Sequence, residues 1–181
     1  MLLLISTGAL AGEEAASDEL ADFGSVRPKA PLVQLAPVPL VVIGPGKSST
    51  VKLDFRVPAG FHINSNQPRG DLLVATTVKL DAPTNLAIGK ISYPAGQDMR
   101  FDFTPEELNV YTGDFRVTAL VRAAQSIPPG TFRVHGTLKY QACNVRACFP
   151  PTKLPVQFDV KVKESSRRKV LRNTRQSPHI H

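Results

Sequence analysis

One stretch, from Thr131 to Val162, determines the predicted fold, and it reads TFRVHGTLKYQACNVRACFPPTKLPVQFDVKV. Apolar and polar residues alternate on both sides of a turn that holds both cysteines of the chain. A period of two residues is typical of β-strands that bury one face and expose the other. We therefore predict a β-hairpin with Cys143 and Cys148 at its tip.

The same alternation recurs in the rest of the chain, notably in the runs 51–57 and 115–121. The run Leu32–Ile43 is interrupted by prolines and is predicted to be an edge strand. The stretches Leu72–Leu80 and Ala87–Ser92 are further strand candidates. The chain has 16 prolines and 12 glycines, which suits many short strands joined by turns. Seven or so such strands predict an all-β fold, an immunoglobulin-like antiparallel β-sandwich.

The ends of the chain differ in composition from this central region. Residues 1–11 begin with an apolar run and end in Ala9-Leu10-Ala11, a small-x-small pattern typical of signal peptidase sites, so we interpret them as a truncated signal peptide. Residues 12–31 are acidic and alanine-rich and are interpreted as a linker. The β-sandwich is predicted for 32–162, followed by a basic disordered tail at 163–181. Export would place the cysteines in a periplasmic or other oxidising compartment.

The net charge of +7 comes in part from the tail. A basic tail can contact nucleic acid or anionic lipid, but a solvated appendage is the simpler interpretation. We expect no nucleic-acid partner. No stretch approaches the roughly 20 apolar residues of a membrane-spanning helix, so no membrane span is expected either.

The spacing of Cys143 and Cys148 leaves three interpretations open. A disulfide closing a loop of about six residues restrains the unfolded chain by only about 2 kcal/mol, which argues against a purely structural bridge. A bridge at a hairpin tip is accessible to another protein's thiolate, which favours a redox-active pair. A zinc site would need two more ligands, and the histidines have no suitable spacing, so no metal and no cofactor are expected.

Three segments resemble the DsbD N-terminal domain family, in the order found in that family. The segment Tyr140–Pro151 (YQACNVRACFPP) resembles its cysteine hairpin, and Val57–Pro68 (VPAGFHINSNQP) resembles the segment after its first core strand. Weaker matches are Ile91–Pro94 and Val110–Gly113. The resemblance covers about Leu40 to Val162 and implies an immunoglobulin-like domain.

The resemblance also implies a function. Members of the family are periplasmic modules that relay electrons by thiol–disulfide exchange. They accept electrons from a thioredoxin-like domain and pass them to periplasmic disulfide oxidoreductases or cytochrome c maturation proteins. By resemblance, Cys148 forms mixed disulfides with partners and Cys143 resolves them. The alternative is a non-enzymatic exported adaptor whose disulfide is structural. The membrane and thioredoxin-like domains of the full transporter are not in this sequence.

Four residues are supporting candidates. Arg146 lies between the cysteines and either favours the thiolate or simply faces solvent. His62 either exchanges protons near neutral pH or is a structural hydrogen-bonded residue. By resemblance, a loop corresponding to 94–108 caps the cysteines, with Phe101 or Phe103 shielding the disulfide. The alternative is that both rings fill the edge of the core.

Overall fold

The computed structural model describes residues 33–70 and 73–164, and no helix occurs among them. The predicted signal peptide and linker therefore lie outside the described residues, as does the tail after Glu164. The twelve strands are β1 (Gln34–Leu35), β2 (Val41–Ile43), β3 (Ser48–Arg56), β4 (His62–Asn64), β5 (Thr77–Asp81), β6 (Leu86–Ser92), β7 (Gln97–Phe101), β8 (Thr104–Tyr111), β9 (Asp114–Ala123), β10 (Gly130–Tyr140), β11 (Ala142–Cys143) and β12 (Thr152–Val162).

Two four-stranded sheets enclose one hydrophobic core. The first has the order β1-β3-β9-β6 and the second β2-β12-β10-β5. The alternating residues of the long strands point into the space between the sheets, where Leu53 and Val117 of the first meet Val134 and Val160 of the second, all 0% exposed. Burying one apolar face of each sheet against the other is what stabilises a sandwich. The predicted all-β, immunoglobulin-like sandwich is confirmed.

The proline-interrupted run near the start of the sandwich divides between the two sheets. β1 pairs with β3 at the edge of the first sheet, and β2 pairs with β12 at the edge of the second. Pro37 and Pro39 lie between β1 and β2, where no ladder hydrogen bond is needed. The prediction of an edge strand is confirmed, with one difference: β2 runs parallel to β12, whereas the other strand pairs are antiparallel.

A third, smaller sheet was not predicted. It has the order β11-β4-β8-β7 and lies beside the cysteine turn. The sequence-based interpretation of 94–108 as a loop was wrong, because Gln97–Phe101 and Thr104–Tyr111 form a β-hairpin. The segment Val57–Pro68, which follows β3, includes the buried strand β4.

Gly136 lies where β10 approaches β5 closely, directly opposite Leu80. A Cβ at this position would lie 2.2 Å from the carbonyl oxygen of Lys79, which belongs to the β5 backbone and cannot move alone. We expect Gly136→Ala to lower the free energy of unfolding by about 1–3 kcal/mol, measured by urea denaturation.

The matched control is Gly130→Ala on the same strand. The nearest atom to a Cβ there is Cε2 of Phe132, at 3.7 Å, which is ordinary contact. Equal unfolding midpoints for the two variants would contradict the close approach of β5 and β10.

Candidate redox site at the cysteine turn

The cysteine turn, residues 143–148, connects the two longest strands of the second sheet. β10 and β12 pair over their whole length, from Gly130 opposite Val162 to Tyr140 opposite Thr152. This register brings Cys143 and Cys148 together at one end of the sheet, where they form a disulfide with their Cα atoms 3.9 Å apart. The predicted hairpin with both cysteines at its tip is confirmed.

Hydrogen bonds close the turn independently of the sulfurs. The amide of Phe149 donates to the carbonyl of Ala142 at 2.8 Å, and the amide of Asn144 donates to the carbonyl of Ala147 at 2.9 Å. The Asn144 Oδ1 also accepts the amides of Arg146 and Ala147, at 2.8 and 2.9 Å. Asparagine is favoured in turns because its side chain can hydrogen-bond the nearby backbone in this way.

The two sulfur-bearing residues differ in their environment. Cys143 lies in β11, paired with β4, and is 0% exposed. Cys148 lies on the returning side of the turn and is exposed. One cysteine is therefore accessible to a second protein and the other is not.

The pairing of β11 with β4 determines what surrounds the buried cysteine. Ala142 lies opposite Ile63, and Cys143 lies opposite His62. Because side chains alternate across a strand, these two pairs face opposite sides of the small sheet. Ile63 and Ala142 belong to the main hydrophobic core, whereas His62 and Cys143 do not. His62 and Cys143 therefore share the face directed away from that core.

Two phenylalanine rings cover this face. Phe101 stacks on the His62 imidazole with ring centroids 4.0 Å apart, and Phe103 stacks on Phe101 at 5.5 Å. The rings come from the tip of the β7–β8 hairpin, whose register shifts between Met99 and Phe101. Such irregularities bend a strand, which allows the tip to fold back over β4. We call the β7–β8 hairpin with these two rings the aromatic cap.

Neither ring of the aromatic cap belongs to the hydrophobic core cluster. Phe101 is half-buried against His62, and Phe103 is 38% exposed. The alternative that these rings fill the edge of the core is therefore wrong. The residue that the rings stack on is His62, and Cys143 is its neighbour on the paired strand.

The aromatic cap is attached to the domain through β8, which pairs with β4 and buries Val110 and Tyr111, and polar contacts at the surface add to this. Arg69 Nη2 lies 2.6 Å from Asp98 Oδ2, whose other oxygen accepts the Asn109 amide at 2.7 Å. Arg100 and Glu107 pair within the hairpin at 2.9 Å. Exposed ion pairs of this kind contribute only about 0–1 kcal/mol each, so the pairing and burial of β8 hold the hairpin more firmly than these contacts do.

His62 is 3% exposed, and burial lowers the pKa of its imidazole from 6.5 to about 4. A pKa this low favours a neutral ring at physiological pH. Its Nε2 is buried and has no hydrogen-bond partner among residues 33–70 and 73–164. A buried polar atom without a partner is uncommon in folded proteins.

Arg146 lies in the cysteine turn, two residues before Cys148, and is exposed. Its backbone amide is held by Asn144, and its guanidinium makes no ion pair with the residues that the structure describes.

The side chain of Gln141, to which the sequence analysis assigned no role, hydrogen-bonds three segments next to the cysteine turn. Its Nε2 donates to the carbonyl of Phe149 at 3.2 Å, and its Oε1 accepts the amide of Val74 and the Nδ2 of Asn64, both at 3.3 Å. One side chain thus joins the strand before the turn, the strand β4 and the chain after Cys148. The only sequence signal was a polar residue between Tyr140 and Ala142, both of which are buried.

Among residues 33–70 and 73–164, no group of three or more histidine, cysteine or acidic side chains is placed to hold a metal ion. The same part of the chain contains no helix of the length and apolar character that crossing a membrane requires.

The model of the family described as "Thiol:disulfide interchange protein DsbD, N-terminal" matches residues 30–159. No curated protein matches the sequence. Among solved structures, the reduced DsbD N-terminal domain of Neisseria meningitidis is similar with 24% identity and a TM-score of 0.38, over 68% of this chain and 83% of that chain. The complex between the DsbD N-terminal and PilB N-terminal domains of the same organism gives 22% identity and a TM-score of 0.39, over 61% of this chain and 73% of that chain. The seventh ScaB type I cohesin from Pseudobacteroides cellulosolvens gives 8% identity and a TM-score of 0.44, over 82% and 96% of the two chains. Because the family match spans more than half of the sequence, the chain belongs to the DsbD N-terminal domain family.

Proposed function

We propose that this protein is a periplasmic thiol–disulfide exchange module that relays electrons through Cys143 and Cys148. The observation that carries the proposal is the difference between the two cysteines: Cys148 is exposed and Cys143 is buried within one short turn. An exchange module needs one sulfur that a partner can reach and a second sulfur that acts only afterwards.

The exchange proceeds in two steps. The Cys148 thiolate attacks one sulfur of a partner disulfide, so the partner's S–S bond breaks and a mixed disulfide forms. The Cys143 thiolate then attacks the Cys148 sulfur, which closes the Cys143–Cys148 disulfide and releases the partner as a dithiol. Two electrons pass to the partner, and the two protons of the original thiols end on the partner's sulfurs. A donor dithiol regenerates the pair by the reverse steps.

The closure of the turn by hydrogen bonds supports exchange over a structural bridge. The contacts of Phe149 with Ala142 and of Asn144 with Ala147 hold the ends of the turn together without a covalent link. The disulfide closes a separation of only five residues, for which the chain-entropy model gives about 2 kcal/mol of stabilisation. A bridge that adds so little restraint can be opened and closed without loss of the fold.

The proposed partners follow from family membership. A thioredoxin-like domain is the proposed electron donor, and periplasmic disulfide oxidoreductases or cytochrome c maturation proteins are the proposed acceptors. A structure from Neisseria meningitidis contains a DsbD N-terminal domain in complex with a PilB N-terminal domain, which supports docking of a second protein domain. The proposed location is the periplasm, where a disulfide persists when no reductant acts on it.

The proposal is tested by mixing the oxidised protein with an excess of a reduced thioredoxin-like domain. We expect two thiols per chain to appear, measured by mass spectrometry after alkylation. The double variant Cys143→Ser/Cys148→Ser is the control and should leave the donor reduced. A wild-type disulfide that stays closed under these conditions, in a folded protein, would contradict the exchange function and favour a structural bridge.

A further inference from the structure

His62 and Cys143 are direct neighbours across the β4–β11 pair. Residues directly opposite each other on antiparallel strands have Cβ atoms about 4.5–5.5 Å apart and project to the same side of the sheet. Phe101 lies 4.0 Å from the imidazole on the side of the aromatic cap. The imidazole is therefore buried, with Cys143 beside it on the paired strand and Phe101 stacked on its ring.

Among the described residues, 33–70 and 73–164, the Nε2 of His62 has no hydrogen-bond partner in the disulfide form. Cys143 is fully buried, and its sulfur in a disulfide has no hydrogen to donate and no charge to stabilise. When the disulfide opens, the same sulfur becomes a thiolate or a thiol in a site closed to water. A neutral imidazole nitrogen can donate to a thiolate in one tautomer and accept from a thiol in the other.

We propose that His62 is a positioning residue whose Nε2 hydrogen-bonds the Cys143 sulfur only when the disulfide is open. The inference deepens the proposed function and rests on it only in requiring that the disulfide can be opened. His62 thereby favours the reduced form and the Cys148-linked mixed disulfide over the closed disulfide. The imidazole neither gains nor loses a proton in the complete cycle.

The hydrogen bond acts at a defined step of reduction. A donor thiolate attacks Cys148, the bond between the two protein sulfurs breaks, and Cys143 leaves as a buried thiolate. This thiolate accepts a hydrogen bond from His62 until it takes a proton released by the donor dithiol. The second donor sulfur then displaces Cys148, so the donor becomes a disulfide and two electrons remain on the pair.

The test is the equilibrium of the pair with dithiothreitol or glutathione buffers, which needs no protein partner. His62→Phe retains a stacked aromatic ring but removes the nitrogen, so we expect the equilibrium to shift about tenfold toward the disulfide, which corresponds to a potential about 30 mV more negative. His62→Gln retains a hydrogen-bonding end group, so its reduction potential should be closer to that of the wild type than the potential of His62→Phe. His135→Phe makes the same change at an exposed histidine of β10 and should leave the equilibrium unchanged.

A second measurement uses the unaltered protein. Long-range ¹H–¹⁵N spectra of the imidazole should show the Nε2 resonance of His62 moving when the disulfide is reduced by dithiothreitol. A wild-type potential in folded His62→Phe, or an Nε2 resonance that is the same in both redox states, would overturn the inference. Failure of the thioredoxin-like donor to reduce the protein would instead count against the proposed function, because neither measurement here uses that donor.

Discussion

Replacing Cys143 with serine is expected to convert the protein into a covalent trap for its partners. The exposed Cys148 can still attack a partner disulfide, but no second thiol remains to release the partner. The mixed disulfide should accumulate to most of the added protein, visible as a reducible band of higher mass on a non-reducing gel. A thioredoxin-like domain in its oxidised form is the probe.

Cys148→Ser is the matched variant and should trap almost nothing. Its remaining thiol, Cys143, is 0% exposed and lies beside the buried His62, so a partner sulfur has no direct access to it. Equal trapping by the two single variants would show that the assigned roles of the two sulfurs are wrong, even if the pair exchanges electrons.

The second large effect is expected from removing the aromatic cap. In a Cys148→Ser background, replacing Phe101 and Phe103 with alanine should raise the rate at which iodoacetamide alkylates Cys143. Stacked aromatic pairs contribute about 0.5–1.5 kcal/mol each beyond the area they bury, so losing the His62–Phe101 and Phe101–Phe103 pairs should accelerate alkylation by a factor of about 5 to 150.

Two controls accompany the cap experiment. Alkylation of Cys148 in a Cys143→Ser background should hardly respond to the same phenylalanine substitutions, because Cys148 is already exposed. Leu40→Ala removes an apolar side chain that is 52% exposed and next to β2, which pairs with the end of β12 away from the cysteine turn, and should change neither rate. If iodoacetamide alkylates Cys143 at the same rate in the folded variant that carries Phe101→Ala and Phe103→Ala, the rings do not protect the buried sulfur.

The sequence was sufficient to predict the long strands because their pattern repeats over many residues. β3, β9, β10 and β12 contain nine to eleven residues each, so a period of two is clear and only one face can be buried. The same pattern placed both cysteines at one turn, since the two longest runs flank them. The sandwich and the proximity of the two sulfurs therefore follow from local information.

The surroundings of the cysteines could not be predicted in the same way. β4 has three residues and β11 has two, which is too short for any periodicity. β7 is mostly exposed along its length, so the cap hairpin has no alternation that would distinguish it from a loop. The pairing of His62 with Cys143 arises only when segments 81 residues apart in sequence meet, and its register depends on the whole fold.

The direction of β12, which pairs in parallel with β2, sets the distance between the cysteine turn and any domain fused after Glu164. β12 begins beside the cysteine turn at Thr152 and ends at Val162 next to Ile43, and Lys163 still donates its amide to the carbonyl of Ile43. At about 3.3 Å per residue, the 11 residues of β12 separate the two ends by roughly 35 Å. The cysteine turn and the end of the described chain at Glu164 therefore lie at opposite ends of β12. A protein attached to a surface after Glu164 would present the cysteine turn on the side away from that surface. A partner domain fused at the same point would need a linker that spans roughly 35 Å to reach the sulfurs.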